Sequence, residues 1–307
     1  MPVSKRRKPK KKRAGPSVHG GPRLVTSSAA SPQDPPGPPA DLRAMERVMA
    51  SFVPEGADTG DENLKDAQDL IYHAWETPDP RERVRLAMEA LGHSADCADA
   101  YVIFAEEVPD TLEEKREMYL AGVEAGERAL GDEAFTEDAG HFWGLLETRP
   151  YMRARAGLAA CLWELGEREE ALSRYRDMLR LNPMDNQGIR YILIGCLLEM
   201  NADDEAAGVL DDPEYADDGT ATWRYSRALL AFRRSGPSAQ ADAFLAEART
   251  TNPHVPAYLL GRTPLPEALP DMIGFGDESE AIAYTADNLE AWRSTPGALQ
   301  WLAGTDA

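Results

Sequence analysis

From about Asn63 onward nearly every segment places apolar residues at helical spacing, and short breakers separate one segment from the next. No segment alternates with the period of a strand. The breakers are Pro78, Pro80, Pro109, Gly131, Gly166, Pro183, Gly236, Pro237 and Pro253, which remove a helical amide or favour a turn. The spacing predicts an all-α body with helices near 63–76, 80–92, 95–107, 111–130, 150–165, 168–181, 186–200, 203–210, 219–234, 237–251, 256–260, 278–294 and 296–303.

Two of these helices end in Asn-Pro, at Asn182-Pro183 and Asn252-Pro253, 70 residues apart. Counting back from Pro183, Leu158, Ala159 and Leu162 fall on the inner side of a first helix, Gly166 at a turn, and Ala171 and Tyr175 on the inner side of a second. Counting back from Pro253 gives Tyr225, Ala228, Leu229 and Phe232, then Gly236, then Ala241, Leu245 and Ala248. This pattern resembles the tetratricopeptide repeat, about 34 residues in two helices with small residues at their crossing. The expected fold is therefore a tetratricopeptide-like helical-repeat solenoid over 63–307, with repeats at 152–185, 188–221 and 222–255 and capping helices within 256–303. Ala67, Leu70, Ile71, Ala74, Ala87, Ala90 and Leu91 mark another unit upstream, and Tyr101, Phe104, Ala121, Ala125, Ala129 and Leu130 one more. At least three units are needed to bury a continuous core.

The segment Asn252-Pro253-His254-Val255-Pro256-Ala257-Tyr258-Leu259-Leu260, followed by Gly276-Asp277-Glu278-Ser279-Glu280-Ala281-Ile282-Ala283-Tyr284 and Gly297-Ala298-Leu299, resembles the C-terminal part of the suppressor-of-tumorigenicity-7 family. The resemblance runs over roughly 150 to 303 and includes Leu165-Gly166-Glu167-Arg168-Glu169-Glu170-Ala171. It implies a helical-repeat module without known catalytic residues. Animal members of that family are similar to membrane proteins with N-terminal apolar spans, where this chain has a basic tail. No membrane association is carried over.

Charge divides the chain. Residues 1–40 hold nine Lys or Arg and one acid, which leaves 24 basic against 52 acidic residues in 41–307, a balance of −28. Pro, Gly, Ser and Ala dominate from Gly15 to Ala40, so 1–40 is expected to be disordered. Its cluster Lys5, Arg6, Arg7, Lys8, Lys10, Lys11, Lys12 and Arg13 fits a polyanion such as nucleic acid, the acidic body itself, or water alone. Within 41–62, an amphipathic helix is expected over Asp41–Phe52, with Asp41 as N-cap and Leu42, Met45, Val48 and Met49 on one face. A linker over Pro54–Asp61 follows it.

The longest apolar run, Tyr191–Leu198, is far shorter than the roughly 20 residues of a membrane-crossing helix. Pro9, Gly15, Pro16, Gly20 and Gly21 follow the basic start where a secretory leader would place its apolar region, so export is not expected. Cys97, Cys161 and Cys196 sit far apart among small apolar residues, as buried thiols of a reducing compartment do. A cytoplasmic location is expected.

Candidate binding groups lie on the first helices of the three repeats: Arg153, Arg155, Asn186, Arg190, Tyr191, Trp223, Arg224 and Arg227. Guanidinium forks in an acidic body either receive a partner's carboxylates or phosphates, or pair with neighbouring acids. Ala156 and Ala160 stand where a chaperone-tail clamp needs Lys or Asn, which excludes that ligand. The aromatic block 140–151 reads as a binding loop with His141, Glu147 and Arg149, or as an insertion packed through Phe142, Trp143 and Leu146. No histidine or cysteine spacing for a metal occurs, and neither GxxxxGK[ST] nor GxGxxG is present. No cofactor, metal, small-molecule substrate or catalytic activity is expected. The leading expectation is a protein-interaction scaffold that receives an unidentified protein or peptide, and the alternative is a nucleic-acid- or ribosome-associated protein tethered by its basic tail.

Overall fold

The computed structural model describes residues 43, 45–52, 61–270 and 272–304; the expected disordered tail with its basic cluster, Asp41, Leu42 and the linker residues 53–60 lie outside them. Among the described residues the chain is all helical, without a strand. Fourteen α-helices follow one another: α1 Met45–Ala50, α2 Glu62–Glu76, α3 Pro80–His93, α4 Ala98–Glu107, α5 Leu112–Glu137, α6 Arg149–Glu164, α7 Arg168–Leu181, α8 Ile189–Glu199, α9 Asp203–Leu210, α10 Ala221–Ser235, α11 Ala239–Thr251, α12 Val255–Leu259, α13 Glu278–Ser294 and α14 Ala298–Gly304.

Side-chain caps fix many of the starts. Asp61, Asp79, Thr111, Thr220, Ser238 and Asp277 each accept a hydrogen bond from an amide of the first turn that follows, which satisfies donors the helix leaves open. At Gly131 the backbone turns to φ 70° and ψ 164°, so the expected helix end is a kink, and helix resumes to Glu137.

Helices pack in consecutive pairs: α2 with α3, α4 with α5, α6 with α7, α8 with α9, α10 with α11. First members also touch each other, α4 against both α2 and α6, and α8 against α10. Small residues allow a close crossing between α5 and α6. A Cβ on Gly126 would meet Tyr151, and one on Gly157 would land within the Tyr119 ring. One continuous core runs from α4 to α14 through Tyr151, Leu158, Tyr175, Leu193, Leu229 and Trp292. A smaller core joins α2, α3 and α4 through Ile71, Trp75, Ala87 and Ile103.

The aromatic block between α5 and α6 is an insertion that packs. Gly140 and Phe142 donate their amides to the Leu181 carbonyl at 2.9 and 3.2 Å, and Phe142 is buried against Phe135 and Tyr151.

Helix α13 does more than stack behind the last pair; it reaches back across α10 to α8. Its first turn is locked by the Glu280 carboxylate, which accepts from Ala221 N of α10 at 2.9 Å, Asn252 Nδ2 at 2.9 Å and Gly276 N at 2.8 Å. Tyr225 donates to the Asn252 carbonyl at 2.7 Å, Tyr258 donates to Glu278 at 2.7 Å, and Trp292 donates to Tyr284 at 2.8 Å. Several residues that carry the family resemblance thus tie α13 to the body.

Candidate functional site: an arginine cleft at the start of α8

Helix α8 begins after a tight turn in which Asp185 and Gly188 adopt φ of 47° and 72°. Glycine takes that conformation freely; Asp185 is held in it by what it caps. Its buried carboxylate accepts from Ile189 N at 2.7 Å, Arg190 N at 2.9 Å and Arg190 Nη1 at 3.0 Å. Burial pushes the Asp185 carboxyl up, and these donors oppose that shift. Across the turn, Asp218 accepts from Arg190 Nε at 3.0 Å and Tyr191 OH at 2.9 Å. Burial would raise Asp218 too, but hydrogen bonds from Thr220, Tyr191 and Arg190 hold it below the usual carboxylate range.

The Arg190 guanidinium lies over three rings, 4.2 Å from Tyr191, 5.2 Å from Tyr215 and 5.8 Å from Trp223. Two carboxylates neutralise it, and the aromatic faces shield it from water. This cluster floors a cleft of about 600 Å³, whose walls include Met184, Tyr215, Glu214, Asp217 and Phe275. Met184 and Phe275 are 74% and 81% exposed, so two large apolar groups flank an acidic rim.

The other expected groove residues scatter. Arg153 is buried, bidentate to Asp99 at 2.8 and 2.6 Å and to Glu46 at 3.0 Å. Trp223 is buried under Tyr191 and Tyr215. Neither lines an open groove, because each side chain is enclosed by the protein itself. Arg155 pairs with Asp177, Arg224 with Glu247 at 2.8 Å and Arg227 with Asp211 at 3.0 Å, and Asn186 is exposed on the turn before α8. Pairing with neighbouring acids is thus what these guanidinium groups do. Of the eight, only Arg190 and Tyr191 line the cleft.

Met184, Tyr215 and Phe275 were not among the sequence candidates. Met184 carries a readable signal, a large apolar residue directly after Asn182-Pro183 in a turn. Phe275 carries none, because nothing local to it shows that it comes to lie beside Arg190 and Tyr191. The three cysteines are buried and unpaired. Among the described residues no group of three or more His, Cys, Asp or Glu could hold a metal, and no helix is long and apolar enough to cross a membrane.

Fold and cleft together define a class, an all-helical protein of paired helices with an aromatic-floored, acid-rimmed cleft. The family model for the ST7 protein matches residues 57–306, and the chain belongs to that family. It is 31% identical to the ST7 homolog of Drosophila pseudoobscura pseudoobscura over 263 residues, which is 78% of this chain and 48% of that protein. It is 30% identical to the suppressor of tumorigenicity 7 protein-like proteins of Gallus gallus and Homo sapiens over 261 residues, again 78% of this chain, and 46% and 45% of theirs. The chain spans about half the length of the curated relatives it matches. No solved structure matches it.

Proposed function

We propose that this chain is a non-catalytic, cytoplasmic protein-interaction module of the tetratricopeptide type, whose docking site is the Arg190 cleft. Sequential pairing of helices and contact between first helices support the repeat reading. Helix α13 packs against α8 and α10, first helices of the kind on which such arrays usually receive a ligand, and this reading therefore takes the cleft at the start of α8 as the docking site.

The single observation that carries the proposal is Met184 and Phe275 standing exposed beside an acidic rim of Glu214 and Asp217. Exposed apolar anchors ringed by polar groups mark binding surfaces. With Arg190 already neutralised, the rim's charge favours a segment that carries a hydrophobic residue next to a Lys or Arg. The strongly acidic body raises the local concentration of such a segment. A phage-displayed peptide library panned on the wild-type protein should enrich sequences of that pattern, and the enrichment should vanish on Phe275→Asp and weaken on Asp217→Lys. Enrichment unchanged by both substitutions, with native circular dichroism, would place the site elsewhere.

Polyanion binding through Lys5–Arg13 is a second reading that rests on sequence charge. Deleting residues 1–13 should then abolish RNA retention at about 0.1 M salt.

A further inference from the structure

Helix α1 is docked with its polarity reversed. Met45, Val48 and Met49, expected on one apolar face, point outward, as does Phe52 beyond the helix end; they are between 47% and 80% exposed, whereas Glu46 is 6% exposed. The helix is held by charge. Glu46 pairs with Arg149 at 3.1 Å and Arg153 at 3.0 Å, Arg43 with Glu106 at 3.0 Å, and Arg47 with Glu76 at 3.2 Å. Met49 adds one contact, its sulfur lying 3.9 Å from Arg149 Nη1.

The two arginines that receive Glu46 are held in place by the body. Arg153 is fixed by the buried Asp99, which also accepts from Gln68 at 2.9 Å, and lies 4.9 Å over the Trp75 ring. Arg149 donates to the Trp143 carbonyl at 2.8 Å and lies 5.3 Å over the Trp143 ring. Each is 9% exposed. Without α1, two guanidinium groups would face one carboxylate, Asp99, leaving a preformed positive site in a strongly acidic protein. Oriented arginine forks of this kind select carboxylates.

We propose that Arg149 and Arg153 form a carboxylate-binding site that α1 fills in cis, with Glu46 standing in for the acidic residue of a partner helix. The partner is a short helical segment whose charged face carries one Glu or Asp flanked by basic groups, as Arg43, Glu46 and Arg47 are arranged in α1. The basic groups meet Glu106 and Glu76. Besides its ion pairs, α1 is held by Arg43 over the Trp75 ring at 4.8 Å and by the Met49 sulfur, while its large apolar side chains stay exposed, so a segment that offers the same charges can exchange with it. This site is separate from the Arg190 cleft.

The test uses the full chain and a fluorescein-labelled peptide of residues 41–52 as probe, read by anisotropy. Wild type should bind it weakly, because the site is occupied. E46Q, and independently the double variant R43E/R47E, should bind about tenfold tighter or more as the open fraction rises. E46Q/R149Q should lose that gain, and a probe with Gln in place of Glu46 should bind none of the variants. Equal affinity of the probe for wild type and both opened variants would overturn the proposal. So would tight binding of the Gln probe. If E46Q fails to fold, R43E/R47E decides, since Arg43 and Arg47 are partly exposed.

Discussion

Gly157 leaves no room for a side chain, since a Cβ there would occupy the space of the Tyr119 ring, itself buried between α5 and α6. Gly157→Ala gains helix propensity but overpacks this crossing, and we expect a net loss of about 1–3 kcal/mol in urea unfolding. The cysteines are inert for a different reason. Burial pushes the Cys97 thiol up to about 12 and the Cys161 thiol up to about 11, and it raises Cys196 as well. The thiolate is the reactive form. Iodoacetamide at pH 8 should therefore leave the native protein unlabelled and modify all three thiols after denaturation. Asp287 on α13 is a burial effect of the opposite consequence, its carboxyl pushed up to about 7. The folded protein then binds a proton that the unfolded chain releases near pH 4. Stability contributed by this group is full below pH 4 and falls as pH rises to about 7. Asp287→Asn should stabilise the protein at pH 8 by an amount on the order of 1–3 kcal/mol, the group being only partly covered, and should flatten its melting temperature between pH 5 and 8.

At the scale of the helices, Glu280 is the most consequential contact. Its carboxylate satisfies an amide at the start of α10, the Asn252 side chain and the Gly276 amide at once. Glu280→Ala strands these buried donors, and a loss of about 2–4 kcal/mol is expected, with the early part of α13 becoming open to hydrogen exchange. Most helices were legible from sequence because each carries its own punctuation: Pro80 at the start of α3, Gly166 before α7, and Asn252 after α11. Partnership between distant elements was not legible. Local spacing predicts an apolar face for α1 correctly, but the face that docks is chosen by Arg149 and Arg153, about a hundred residues away. The partners of the expected groove arginines were hidden for the same reason. Nothing local in Arg153 or Arg227 shows which acid the fold brings to it, whereas Arg190 has Asp185 within its own turn.

The whole molecule is built on two cores of unequal size that share α4. Cys97, Ala100 and Ile103 face the smaller core, and Val102 and Ala105 face the larger. Cooperative units follow shared burial, so α2 and α3 should open as a group at lower free energy than α6, α8 and α10. Native-state hydrogen exchange in low denaturant checks this; uniform protection from α2 to α13 would show one cooperative unit instead. The span from Leu260 to Asp277 that carries the chain to α13 also has a practical meaning. A fragment ending before Gly276 loses Glu280 and bares Tyr225 together with the flank of α8 at Gly195, against which α13 lies. Such a fragment presents a ready-made slot to the α13 of any intact neighbour. Exchange of one element between copies is a low-cost route to dimers, so association seen with shortened chains would report a swapped latch rather than a natural assembly.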